Sequence, residues 1–453
     1  MIGKGKNARY YYWLFLEFIR KHLKVIFLSA LISTITIISL ITISPFLLNL
    51  LTTQSSVVGM VGSYRMDSLP DEITSKISNG LLFINENGKA MPVLAESWEV
   101  LDNGLLYRFH LKKNILLDDN TFFTSKDVNY HFKDVSISTK GDYLIEFKLN
   151  KQLAIFPIYL TKPIIKYSSI GIGGLYKIDH IKYKYDALTE IGLEPNKKNR
   201  VHIMYRFFPN ESSMITAYKM GQINQMTVSK KSIADTFLQW RNTKVEKFVD
   251  YANLLTVFFN YNNPFLKEKE VRGAIKSSID RSQFLEFGID AKSSIPPTSW
   301  AYNKDLKETV YDPELAQKII KKDKSASDSA KLNFNTFYDY LNIASDINKN
   351  LNDIGLDTNL NIMSSNTSDF DIMLAYLKVP QDPDQYYYWH STQSLSLLTG
   401  YKNLKLDKFL EDGRSSFDQN ERVKSYLDFQ KTMDDDDTAI FLFFPYNYTI
   451  KRK

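Results

Sequence analysis

The chain contains no cysteine. Disulfides, thiolate metal sites, a cysteine nucleophile and a lipid-modified N-terminal cysteine are thereby excluded. The compartment is not, because an exported protein can also lack disulfides. Histidine is scarce as well, with six residues: His22, His110, His131, His180, His202 and His390. None stands in an H-E-x-x-H pair or in a metal-like cluster. There is no G-x-S-x-G elbow and no Walker-type phosphate loop. Gly171-Ile-Gly-Gly174 lacks the later glycine and the acid of a dinucleotide site, and reads as a tight turn. These absences predict a protein that is not an enzyme, with no catalytic residue, no metal site and no cofactor.

Excess charge is missing from most of the chain too. The net charge is +6, yet Lys4, Lys6, Arg9, Arg20, Lys21 and Lys24 stand against Glu17 within the first 24 residues, which leaves +1 for the remainder. A nucleic-acid partner is therefore not expected, because a basic footprint on the folded body is what such binding requires.

What the chain does have is length and apolar surface. Its 453 residues, 44% apolar and 24% charged, predict two or three lobes of ordinary globular composition. Aromatic residues make up 14%, which suits either a large core or a cleft lined with rings. Val25 to Leu51 carries no charge over 27 residues, and about 20 suffice for a helix to cross a bilayer. The stretch is too long for the apolar region of a cleaved signal peptide, and no clear Ala-x-Ala follows it. It reads as an uncleaved membrane anchor (25–51), with Pro45 as a kink near its outer end. The basic segment 1–24 before it places the N-terminus in the cytoplasm and everything after residue 52 outside. Tyr10–Ile19 is aromatic and reads either as an interfacial stretch or as a short cytoplasmic helix.

After a polar linker, Thr52–Ser56, helices and strands alternate. SVVGMVG reads as a buried strand and Thr74–Leu82 as a helix. Asn85–Gly88 is a turn, and Asp102-Asn-Gly104 is a hairpin signal between alternating strands. Helices are predicted over Ser125–Phe132, Ser212–Met220, Val271–Phe287, Tyr311–Lys321, Ile343–Ile354 and Arg422–Met433. Strands are predicted over Tyr143–Leu149, Val201–Phe207, Phe370–Leu377 and Ala439–Pro445. Lys321–Lys331 reads as an exposed loop, and Asp434–Asp437 as a solvated helix end.

One long block is more specific. Residues 81–132 hold Gly88, Pro92, Leu94-Ala-Glu-Ser-Trp98, Gly104, Phe109, Leu111, Phe123-Thr124 and Asp127-Val128 in order. This block resembles the signature of family-5 solute-binding proteins, which serve oligopeptide, dipeptide and nickel ABC importers. Gly171–Ile178, Asn260–Asp280, Ile295–Ala316, Phe370–Asp384 and Lys402–Phe444 resemble later family blocks in the same order. The resemblance covers residues 57–448.

The resemblance implies an α/β, bilobed, type II periplasmic-binding-protein-like fold with a small third lobe, here preceded by one transmembrane helix. Lobe I would take 55–80, 165–255 and 440–453; the middle lobe 81–164; lobe II 256–439. The middle lobe is short, with little chain between Val135 and Tyr143. The implied role is a membrane-anchored, extracytoplasmic binding protein. It would deliver a peptide or other small solute to permease subunits of an ABC importer, with the lipid bilayer engaged through residues 25–51. A ligand sensor or surface scaffold on the same fold is the alternative.

In peptide-binding members a strand pairs with the ligand backbone, and an aspartate beside it meets the free amine. Here that strand is Ala375-Tyr376-Leu377-Lys378, and the amine-anchoring position falls on Val379. Asp382 or Asp384 replaces the missing carboxylate, or else both belong to a structural turn. Tyr386, Trp389, Trp300 and Tyr302 line the cleft or fill the core. Asn260 and Asn262 orient ligand or satisfy backbone at a bend. Arg65 meets an anionic ligand group or stays on the surface.

Overall fold

The computed structural model describes residues 8–52, 55–166, 171–197, 200–322, 331–363 and 369–453. Two compact units emerge, one of residues 1–56 with 199–202 and the other of residues 57–198 with 203–453. The first is dominated by a single helix, Ala8–Thr52, whose one non-helical residue is His22 (φ −112°, ψ 15°). That break separates the aromatic stretch from the uncharged run that follows. Tyr10–Ser39 is long and apolar enough to cross a membrane, and its side chains are not buried against protein. Pro45 lies outside the residues whose side chains are described, as do residues 53–54 of the expected linker and 323–330 of the expected loop.

The second unit starts with β1 (Ser56–Val61) and then a helix, Asp71–Ile77, shorter than expected. The middle lobe follows. It holds β2 (Leu82–Ile84) and β3 (Ala90–Pro92), joined by the Asn85–Gly88 turn, and a four-stranded antiparallel sheet. That sheet comprises β4 (Ala95–Leu101), β5 (Leu106–Leu111), β6 (Val135–Thr139) and β7 (Leu144–Leu149) in the order β4-β5-β7-β6. Asp102, Asn103 and Gly104 all take positive φ, as the hairpin signal requires. Tyr107, Phe109, Ile145 and Phe147 alternate inward and make its core.

The helix expected over Ser125–Phe132 is one 3-10 turn, Ser125–Asp127. Asp127 accepts from the backbone and hydroxyl of Thr124 at 2.8 and 3.0 Å, which closes the turn. Beyond it Tyr130 is buried, and its hydroxyl donates to the carbonyls of Leu160 and Lys162. Tertiary burial of that ring overrides a weak local preference.

The segment expected to return to lobe I holds β8 (Tyr176–Lys184), β9 (Ala187–Pro195), β10 (Ile203–Phe208), β11 (Gln225–Val228) and β12 (Thr243–Val249). Helices Glu211–Lys219 and Lys231–Leu238 flank β11. Next come β13 (Asn253–Phe259), β14 (Gly288–Asp290), β15 (Leu332–Thr336), β16 (Thr358–Ile362) and β17 (Ile372–Lys378), which apart from the start of β13 fall in the segment expected as lobe II. The last strand, β18 (Ala439–Arg452), was expected in lobe I from residue 440, yet its first half pairs with strands of the segment expected as lobe II. It pairs with β13 and β14 up to Pro445, and with β11 and β12 from Tyr446 onward. One sheet therefore runs β16-β15-β17-β13-β18-β11-β1-β10-β9-β8.

β13 reads Asn-Leu-Leu-Thr-Val-Phe-Phe because both its faces are buried. Leu255, Val257 and Phe259 enter one core, and Leu254 and Phe258 enter the other. Where the sheet changes lobes, Asp250 accepts from Asn253 Nδ2 at 2.7 Å and Asn447 Nδ2 at 3.2 Å.

The amphipathic helix expected over Val271–Phe287 stops at Ser278. Val271, Ile275 and Ile279 do form the buried stripe. Ile279 is extended (φ −87°, ψ 113°), and Asp280 starts a new turn by accepting from the Ser282 amide. Arg281 turns inward there to Asp290 Oδ1 at 2.8 Å and to the Phe441 carbonyl. Asp434 and Asp437, expected to be solvated, both hold Lys276 Nζ at 2.8 Å.

Candidate functional site

The site is built on β17 and the turn that follows it. β17 is antiparallel to β13 along its whole length, Asn253 facing Lys378 and Phe259 facing Ile372. On its other side β15 pairs only with Ile372–Leu374. The Val379 amide donates to the Ala252 carbonyl at 2.9 Å. Backbone groups alternate sides along a strand, so those of Leu377 and Ala375 also serve β13. Those of Tyr376 and Lys378 point to the opposite edge, where, among the described residues, no strand faces them.

Side chains of the same segment do other work. Ala375 and Leu377 are buried in one core of lobe II, and Val379 packs half-buried against it. Tyr376 lies on the other face, edge-on to Tyr340 with ring centroids 4.8 Å apart. The strand thus offers backbone rather than side chains at its open edge.

The Asp382-Pro-Asp384 turn is buried and paired. Asp382 Oδ1 meets Arg422 Nη2 at 2.6 Å, and Asp384 Oδ2 meets Arg414 Nη2 at 3.3 Å. The turn is closed by the Asp384 amide on Asp382 and the Tyr386 amide on Asp384, at 3.0 and 3.2 Å. Burial pushes the Asp384 carboxyl up to about 6 against the pull of Arg414. Burial also raises Asp382, with Arg422 opposing. Tyr159 of the middle lobe joins the cluster, its hydroxyl 3.4 Å from Asp384 Oδ2 and 3.2 Å from Arg414 Nη2. Asp382 Oδ2, Arg414 Nε and Trp300 Nε1 are buried without a hydrogen-bond partner among the described residues.

The expected aromatic wall divides. Trp389 is a core residue, 2% exposed, with Nε1 on Gln385 Oε1 at 3.1 Å. Tyr386 carries Arg414 over its face at 3.9 Å and stacks on His390. Tyr302 is half-buried against the core. Trp300 is half-buried between Arg422, Tyr426 and Gly88, whose positive φ and missing Cβ admit the indole. Asn260 bonds the Phe370 carbonyl and caps its own bend, and Asn262 is exposed at that bend. Arg65 is exposed, 3.7 Å from Asp67.

Two open cavities lie between residues 86–158 and residues 298–422. One of ≈ 550 Å³ is lined by Trp98, Val100, Tyr107, Ile158, Phe417 and Arg422, among others. The second, of ≈ 480 Å³, includes Glu86, Lys89, Trp300 and Gln419. Sequence reasoning missed Arg414, Arg422 and Tyr159. The available signal was the pair of acids in the turn, which once buried demand cations.

Comparison with known proteins gives the family and the fold. The model of bacterial extracellular solute-binding proteins, family 5 Middle, matches residues 89–396. The oligopeptide-binding protein AppA of Bacillus subtilis is 25% identical over 471 residues, covering 86% of each chain. The heme-binding protein A of Haemophilus influenzae is 25% identical over 51% of this chain and 53% of its own length. Among solved structures, NikZ from Campylobacter jejuni in complex with Ni(L-His) superposes with a TM-score of 0.73 at 20% identity. That match covers 88% of this chain and 94% of NikZ. The Bacillus subtilis AppA structure in complex with a nonapeptide gives 0.70 at 22% identity over the same shares. Both share the fold.

Proposed function

The chain belongs to the bacterial extracellular solute-binding proteins of family 5, and from that premise we propose that it captures short peptides, or a solute of similar size, outside the cell for an ABC importer. The family is one of binding proteins rather than enzymes. The half-open edge of β17 carries the reading. An extended peptide laid beside Tyr376 and Lys378 pairs with backbone groups that have no strand opposite, and backbone pairing accepts many sequences. The two cavities, lined by Trp98 and Phe417 and by Trp300 and Gln419, have volumes in the ordinary range for small-molecule sites, about 300–1,000 Å³.

The amine end of such a ligand is held differently from the usual family manner. Val379 offers no carboxylate, and Asp382 and Asp384 are already committed to Arg422 and Arg414. The preferred ligand is therefore one whose free amine stays in water or is blocked, since a buried unpaired ammonium is costly.

The N-terminal helix anchors the chain in the membrane in this reading, with the second unit extracytoplasmic and handing its solute to membrane permease subunits. The uncharged run from Val25, within a helix long and apolar enough to cross a membrane, and the basic residues before it support it. A tether of this kind raises the local concentration of the binding protein at its permease.

Lys378→Pro tests the backbone claim. It removes an amide from the open edge while leaving the β13 ladder, which uses Leu377 and Val379, intact. Peptide affinity, measured by calorimetry, should fall at least tenfold on the order expected for one lost pairing of about 1.5 kcal/mol. Lys378→Ala, which keeps the amide, should bind as the parent does. Equal binding by both variants would remove the edge from the mechanism.

A further inference from the structure

We propose that the end of lobe I opposite its β8–β9 hairpin tip is a bilayer-facing surface that binds anionic phospholipid headgroups. The strand registers bring this end together. Lys177 faces Glu194 across β8 and β9, and Val58 faces Gln225. Gln225 faces Lys451, which in turn faces Lys244. The helix Glu211–Lys219 ends here, as does Lys231–Leu238, because each runs back to the start of the next strand. The Lys453 amide bonds the Asn242 carbonyl, and Arg452 Nη2 bonds the Tyr218 carbonyl.

Six exposed cations gather there: Lys197, Lys219, Arg241, Lys244, Lys451 and Lys453. Lys244 has Glu246 at 2.5 Å. Lys197, Lys219, Arg241 and Lys453 have no acidic partner within ion-pair distance among the described residues. This clustering stands out because the chain beyond residue 24 nets only +1. Between the cations, Met220 and Leu238 project 67% and 60% exposed at the two helix ends. Cations interleaved with exposed apolar side chains match the headgroup zone of a bilayer, where the charge meets phosphate and the apolar group enters the acyl boundary.

Chain order supplies the second argument. The N-terminal helix ends at Thr52, and β1 starts at Ser56 at this same end of the sheet. Four residue steps span at most about 14 Å. If that helix crosses a bilayer, the short tether keeps this end near the surface, and its charge decides whether it lies against the headgroups. The proposal rests on the anchored reading given above.

The missing cysteine makes the test clean, since one introduced thiol is unique. The full chain carrying Met220→Cys is labelled with a fluorophore and reconstituted into vesicles of neutral phosphatidylcholine, with or without phosphatidylglycerol. Both contain a headgroup-located quencher. Strong quenching at position 220 is expected only with phosphatidylglycerol, and it should vanish at high salt. Tyr185→Cys, at the 92% exposed tip of the β8–β9 hairpin, should stay unquenched throughout. Each cation contributes about a fivefold preference near an anionic surface. Neutralising Lys219, Arg241 and Lys451 to Gln should then lower the apposed population by about a hundredfold. A chain that fails to enter either vesicle type would overturn the anchor. A chain that inserts but shows equal quenching in both lipids, or equal quenching at positions 220 and 185, would overturn this surface. So would quenching at position 220 that appears only when a permease is co-reconstituted, since that surface would then be a protein contact.

Discussion

Replacing Arg422 with Met is the most informative perturbation of the buried turn. Arg422 is 9% exposed. Its Nη2 holds Asp382 at 2.6 Å, and its Nε holds the Gly413 carbonyl at 2.8 Å. Asp382 is itself 6% exposed, and its second oxygen already lacks a partner among the described residues. Met fills the space between Trp300 and Tyr426 but leaves a buried carboxylate without its counter-ion. Breaking a buried pair this way costs about 3–5 kcal/mol. Burial already raises the Asp382 pKa, and losing Arg422 removes the pull that opposed it. A carboxyl whose folded pKa lies above its unfolded value destabilises the fold increasingly as pH rises between the two. The variant should therefore stand near its parent in acid and fall away as pH increases. Adding Asp382→Asn should recover most of the loss, because the amide keeps the turn and carries no charge. Denaturant unfolding of the full chain in detergent, run as a double-mutant cycle at pH 5 and pH 8, reads both effects. A single-variant loss below about 1 kcal/mol at pH 8, or no recovery in the double variant, would refute the buried-pair reasoning.

Other expectations follow from the same structure. Val379→Asp restores a carboxylate beside the β17 edge and should raise affinity for peptides with a free amine while leaving N-acetylated peptides unchanged; calorimetry with matched peptides checks this. In lobe I, burial alone would raise Glu190, but hydrogen bonds from Lys182, Arg206 and His180 bring it down to about 2. The stability it supplies is present above its ordinary value near 4.5 and is lost as pH falls from there towards 2. Glu190→Gln should thus cost stability at pH 7 and progressively less as the pH falls from about 4.5 towards 2, as read from unfolding curves across that range.

Much of the architecture was legible because burial on two faces writes itself into a strand. Ala439–Phe444, read as a strand, is a continuous apolar run at the centre of the large sheet; its neighbour Asn253–Phe259 has the same character but was not singled out in the sequence. The Asp102-Asn-Gly104 hairpin was legible from its turn residues. The helix Pro313–Lys322 was legible from Asp312, whose carboxylate caps the Leu315 amide at 2.9 Å. Helix ends were less so. Ile279 continues the apolar stripe of Lys269–Ser278, yet the chain turns extended there because Arg281 finds partners inward. No local pattern encodes that choice.

The candidate site was half legible. The position of the β17 edge followed from the family block, but the unpaired backbone depends on where β15 stops, which is a tertiary fact. Trp389 and Tyr386 looked alike in sequence. One is core, and the other sits under Arg414, a residue 28 positions further along the chain.

The most direct test is what the protein carries. The full chain, purified in detergent without added ligand, would be examined by native mass spectrometry, and any released small molecules identified. The account predicts a set of short-peptide masses, or one solute of similar size, displaced in parallel with reduced occupancy in Lys378→Pro. An empty chain that peptide mixtures also fail to stabilise would contradict it.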